Sequence, residues 1–179
     1  MADGYGESGE PSHRALFVQL AFCPTPALVS GIARLVSDFC RTGLRDLDVT
    51  TRFHMAAHEL TENIAKYSTS SRAMLEIELT EGEGSRLLTL RTKNHTSRDR
   101  LVEVEKRLKE LQDTLDPAQL YDRLIEETAP LEGVSGLGLA RIRAEGLSFS
   151  YQISGDELTL IVQEPLPPPT SRMAQRVHE

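Results

Sequence analysis

The stretch HELTENIAKYS, residues 58–68, sets Glu59, Asn63 and Lys66 at i, i+4 and i+7, so that a helix over this segment carries all three on one face. The surrounding apolar residues predict such a helix: Phe53, Ala56, Ala57, Leu60, Ile64 and Tyr67 form a stripe suited to burial. The polar face has complementary chemistry. Glu59 is a carboxylate able to take a proton, Asn63 offers a neutral amide oxygen to magnesium, and Lys66 brings a cation to phosphate one turn further on. The same letters suit the solvated face of an ordinary amphipathic helix, so a second signal is needed.

Residues 133–142, GVSGLGLARI, supply it. Gly133, Gly136 and Gly138 lead into an apolar-periodic segment through Leu139, Ile142 and Leu147, the pattern of a loop entering a helix. Glycines permit close backbone approach, and the free amides at a helix start bind phosphate oxygens. A tight loop before a packed helix explains the same glycines. The spacing is neither the dinucleotide fingerprint nor a P-loop, which would need Lys followed by Ser or Thr.

In this order and spacing the two segments resemble the GHKL family, the ATP-binding fold of histidine kinases, gyrase-type ATPases and anti-sigma-factor kinases. His58 to Tyr67 resembles the family's N box, and Gly136-Leu-Gly-Leu its second glycine box. The resemblance spans roughly Leu16 to Glu164. It implies ATP and Mg2+ as cofactors, with Asn63 at the metal position, Glu59 as general base, Lys66 balancing phosphate charge, and the amides of Gly133, Gly136 and Gly138 cradling phosphates. One family part departs. After the strand Leu87 to Thr92 the family places Asp-x-Gly-x-Gly, whose aspartate binds the adenine amino group, whereas this chain reads Lys93-Asn94-His95-Thr96-Ser97. Asn94 still offers an acceptor oxygen, but without charge and without the two glycines. A departure of this kind followed by a long helical insert resembles the SiaB-like bacterial regulators, which implies a protein serine/threonine kinase acting on a small regulatory partner protein. The competing expectation is a degenerate scaffold that keeps the fold to sequester a partner or dimerise without nucleotide. A histidine-kinase catalytic domain is a weaker third reading, since no phospho-accepting helix precedes the boxes.

Outward from the boxes, alternation at Ala15 to Phe22, Met74 to Leu79, Leu87 to Leu90, Leu147 to Ile153 and Leu158 to Val162 predicts five strands. Helices are expected at Pro26 to Arg41, Thr50 to Tyr67 and Gly138 to Glu145, with Asp48 or Thr50 capping the second. These elements predict an α+β, two-layer sandwich: a mixed five-stranded sheet with helices on one face. Domain boundaries are expected at a disordered tail 1–13, one domain 14–164 and a Pro-rich tail 165–179. Within the domain, 97–130 reads as a helical hairpin in the lid region. Leu101, Val104, Leu108, Leu111 and Leu115 form one stripe, and Asp116-Pro117 opens a second helix carrying Leu120, Tyr121, Leu124 and Ile125. That stripe is expected to pack on the chain's own core; the alternative is a homodimer or partner surface.

Composition narrows the function classes. A chain of 179 residues with 39% apolar content is sufficient for one domain with a sizeable core. A net charge of −7 speaks against direct nucleic-acid binding, which needs clustered Lys and Arg. No apolar run reaches spanning length, and residues 1–13 lack the regions of an export signal, so a cytoplasmic protein with no membrane partner is expected. Cys23 and Cys40 are read as buried, reduced thiols. His54 and His58 lie one turn apart but lack a third zinc ligand, and Ser135 lacks the nucleophile-elbow spacing. Arg141 and Arg143 suit either phosphate or solvent.

Overall fold

The computed structural model describes residues 13–82, 84–128 and 137–168. Gly133, Gly136 and most of both expected tails lie outside them. The described elements are β1 (His13–Phe22), a 3-10 turn (Pro26–Leu28), α1 (Val29–Gly43), α2 (Leu47–Tyr67), β2 (Ala73–Gly82), β3 (Ser85–His95), α3 (Arg98–Asp113), α4 (Pro117–Thr128), α5 (Leu137–Ala144), β4 (Ser148–Ser154) and β5 (Glu157–Leu166). The strands form one sheet in the order β1-β2-β3-β5-β4.

The architecture is the expected α+β sandwich, with one correction: every neighbouring pair is antiparallel, so the sheet is not mixed. The connections explain why. Two helices, α1 and α2, separate β1 from β2, and the three reversals this entails bring β2 back antiparallel against β1. Three helices separate β3 from β4, so β4 starts in the direction of β3. The hairpin into β5 then reverses the chain, and β5 fits antiparallel between them. Its two-residue turn places Gly155 at φ 65°, a conformation glycine adopts without strain.

One face of the sheet packs on the helices. Leu75, Ile77 and Leu79 of β2 and Leu88 and Leu90 of β3 are buried there, with Ile77 opposite Leu90 and Val162 of β5 opposite Leu90 on the other side. Facing them are Ile32 and Val36 of α1, Phe53 and Leu60 of α2, and Ile142 of α5, all in the same apolar cluster. The opposite face carries ion pairs instead: Arg91 Nη1 lies 2.7 Å from Glu76 Oε1, and Lys93 Nζ 3.3 Å from Glu157 Oε1. Strand alternation sorts the two chemistries onto the two faces.

Helix α2 starts earlier than the apolar stripe alone indicates. Asp46, not Asp48 or Thr50, is the cap: it is extended (φ −109°, ψ 116°), and its Oδ1 accepts from the amides of Asp48 at 3.0 Å and Val49 at 3.1 Å. Lower on the helix, Arg52 pairs with Glu164 of β5, both largely buried, tying helix to sheet. Burial, reinforced by Glu164, pushes the Cys40 thiol up to about 12, so it stays protonated in the core. Cys23, contrary to expectation, is exposed.

The insert folds as two helices. Ser97 Oγ accepts from the Arg100 amide at the start of α3, and Asp116 Oδ1 from the Gln119 amide at the start of α4. Leu101, Leu108, Leu111, Leu120 and Leu124 all join the main core, so the stripe packs on the chain itself. Leu115 is fully exposed, because α3 ends at Asp113 and the helical period ends with it. Strand β5 runs through Leu166 and contains Pro165, paired opposite Leu87. Pairing with β4 stops at Gln163, so a residue without an N–H sits where β5 has become an edge. Among the described residues, no helix is long and apolar enough to cross a membrane.

Candidate functional site

Helix α2 buries Phe53, Ala56, Ala57, Leu60 and Ile64, which leaves Glu59 and Asn63 at the margin of the buried stripe rather than out in solvent. The start of α5 meets them there. Gly138 is the second residue of α5, and a Cβ built on it would overlap Glu59 Oε2 and lie 3.0 Å from Glu59 Cδ and 3.1 Å from Glu59 Cβ. Glycine therefore lets the two helices approach this closely without displacing Glu59, and two motifs far apart in sequence are in contact. One turn along α5, Arg141 Nη1 is 3.7 Å from Glu59 Oε1, with the Glu59 side chain 20% exposed.

Gly138→Ala is accordingly expected to cost about 1–3 kcal/mol, the usual penalty of overpacking, by forcing Glu59 out of its rotamer. Chemical denaturation against the parent reads this. A change within about 0.5 kcal/mol, the range of neutral surface substitutions, would mean that the helices separate without resistance.

Lys66 points elsewhere. Its Nζ lies 2.8 Å from Glu62 Oε1, half exposed, and the hydrogen bond with Glu62 is the main reason its pKa is raised. It is not among the side chains around the pocket described next. His54, the candidate zinc partner of His58, instead ties α2 to α1: its Nδ1 is 2.8 Å from Ser37 Oγ and 3.1 Å from the Ala33 carbonyl.

Asn63 faces a small, mostly apolar pocket together with Leu60, Ile64 and Tyr67 of α2 and Leu158 and Leu160 of β5. Asn94 reaches it from β3, 7% exposed, with its Nδ2 donating to the His95 carbonyl at 3.2 Å. The roof comes from the insert: Arg100 and Val104 of α3 line the pocket, and the Arg100 guanidinium sits 4.1 Å from the centre of the Tyr67 ring. The volume left is about 40 Å3. That is room for a few waters, where ligand pockets run to roughly 300 Å3 or more.

No protein-family model matches the sequence, and no curated protein does. Among solved structures, a chain in the crystal structure of the SiaB–SiaC complex from Pseudomonas aeruginosa matches over 86% of this chain and 91% of that one. The TM-score is 0.58 at 18% sequence identity. The fold is SiaB-like. In this SiaB-like fold, the pocket lies between α2 and the sheet, and the lid-region insert forms its roof.

The fit to a magnesium nucleotide differs between the two ends of the site. At the α5 end, Glu59 and Asn63 bring hard oxygen atoms beside the close backbone at Gly138, a donor set that suits a phosphate-bound Mg2+. At the Asn94 end, Arg100 and Val104 line the pocket and the space left is too small for a base. Arg100 and its stack on Tyr67 escape sequence reading: Tyr67 reads as the last residue of a buried stripe and Arg100 as one more surface charge in α3. The signal that was available is the Ser97 cap, which fixes Arg100 in the first turn of α3, immediately after β3.

Proposed function

We propose that this chain is a GHKL-type cytoplasmic signalling regulator that acts on a small partner protein by phosphorylating a Ser or Thr hydroxyl. The observation that carries this reading is the contact of Glu59 with Gly138, which joins the N-box-like helix to the glycine-box-like helix at one point. Bound ATP and Mg2+ would supply the γ-phosphoryl group and the neutralisation of its charge. Asn63 would present its amide oxygen to the metal, and the amides at the start of α5 would hold phosphate oxygens. Glu59 would orient the partner hydroxyl and take its proton as the hydroxyl oxygen bonds to phosphorus and the bond to the ADP oxygen breaks. Asn94 would accept from the base through Oδ1, its Nδ2 being committed to His95.

A second reading, the nucleotide-free scaffold, is favoured by the small volume of the pocket beneath Asn94. It keeps the partner and drops the chemistry. Titration with ATP–Mg2+ by calorimetry, alongside Asn63→Ala, separates the two. Saturable binding that Asn63→Ala weakens by about tenfold or more, the effect of losing one charge-assisted metal contact, is the expected result. No heat and no thermal shift at saturating nucleotide would leave the scaffold as the function.

A further inference from the structure

We propose that Arg100 is an internal stand-in for the ring ligand of this pocket: its flat guanidinium occupies the stacking place on Tyr67 and holds α3 down as an autoinhibitory roof. The inference rests on the nucleotide reading and adds a regulatory contact to it. A guanidinium is planar and delocalised and stacks on an aromatic face as a heteroaromatic ring does. Arg100 lies 4.1 Å from the Tyr67 centroid, with Nη1 bonded to Glu103 Oε2 at 2.8 Å. Its Nε is buried and has no hydrogen-bond partner among the described residues. A buried, unpaired N–H is a cost that the closed state carries and an open one does not.

The placement of Arg100 makes such a roof movable at one end. It follows β3 by a few residues and sits in the first turn of α3, which Ser97 caps; Leu101 beside it is 5% exposed, whereas Leu108 and Leu111 further along are fully buried. Release of the Arg100 stack therefore loosens the end of α3 over Asn94 and Asn63, where Leu101 remains as a packing contact, while the far end stays anchored by Leu108 and Leu111. Val104, the other roof residue, is only partly buried.

The test is binding of adenosine and of ATP–Mg2+ to the parent, Arg100→Ala, Arg100→Lys and Val104→Ala. Adenosine carries no phosphate, so its affinity is insensitive to the lost cation and reports the ring site alone. Arg100→Ala is expected to bind adenosine about tenfold more tightly, the scale of one desolvated cation–π contact. Arg100→Lys, which keeps the charge but not the plane, is expected to fall between the two. Val104→Ala gives the same direction should Arg100→Ala fold poorly. Equal or weaker adenosine binding by the Arg100 variants, with ATP–Mg2+ still bound, would overturn the stand-in and leave the nucleotide reading. Silence of every variant towards both ligands would overturn both.

Discussion

Glu59→Gln is expected to slow phosphoryl transfer to the partner by about 10^2- to 10^4-fold, the usual contribution of a positioned general base, with the fold retained. The amide has the shape of the carboxylate and keeps the contact with Gly138, so packing between α2 and α5 is preserved. The charge lost faces Arg141 at 3.7 Å, and with the Arg141 side chain 47% exposed this long pair contributes little to stability although Glu59 is itself mostly buried. The effect should therefore fall on the chemical step and not on nucleotide affinity. Single-turnover transfer measured at saturating ATP reads it directly, with unfolding curves as the control for structure. Unchanged turnover would remove Glu59 from the role of base. An altered nucleotide affinity with unchanged turnover would reassign it to binding.

Phe53→Ala is expected to lower the unfolding free energy by about 3–5 kcal/mol, the cost of emptying a large buried aromatic site. Phe53 is 0% exposed, near the middle of the face that α2 presents to the core. Native domains are stable by only about 5–15 kcal/mol, so this single change consumes much of the margin. Denaturant midpoints at constant slope measure the loss. A loss below about 1 kcal/mol, the range of tolerated core swaps, would mean that α2 does not pack as described.

The parts of this molecule that are local in sequence are the parts its sequence displays. The α2 stripe and its polar margin are legible because helical spacing is a property of a few consecutive turns, β2 because apolar and polar residues alternate in it, and β1 because it is a mostly apolar run. Strand β3 is longer than its apolar core suggests. Thr92 and Asn94 are buried while Arg91, Lys93 and His95 face outwards, so its last residues are polar on both faces and hide the period. The helix cap is ambiguous for a similar reason: Asp46, Asp48 and Thr50 all carry acceptors, and only backbone geometry chooses Asp46. Strand direction is not encoded in alternation at all. It follows from counting the reversals between neighbours, which yields the antiparallel sheet.

The candidate site divides along the same line. Glu59 and Asn63 are named by spacing within one helix. The apposition of Gly138 depends on how α5 crosses α2, and the roof over Asn94 depends on which side of α3 turns inward. Lys66 shows the limit of spacing: it has the right position on the helix, yet its ammonium pairs with Glu62, one turn before it, and it does not line the pocket that Asn63 faces.

The insertion of β5 between β3 and β4 bears on the order of events during synthesis. Strand β3 leaves the ribosome with one edge unpaired and keeps it so until the insert, β4 and the hairpin have all been made. An open strand edge is a template for association with other chains, and non-local pairing is slow to form. Asn94 lies on that waiting edge, opposite Leu158, so the floor of the pocket is completed by the last strand of the sheet. A nascent chain can thus display α2 in full and still have no pocket, which confines ligand recognition to molecules whose translation has passed β5.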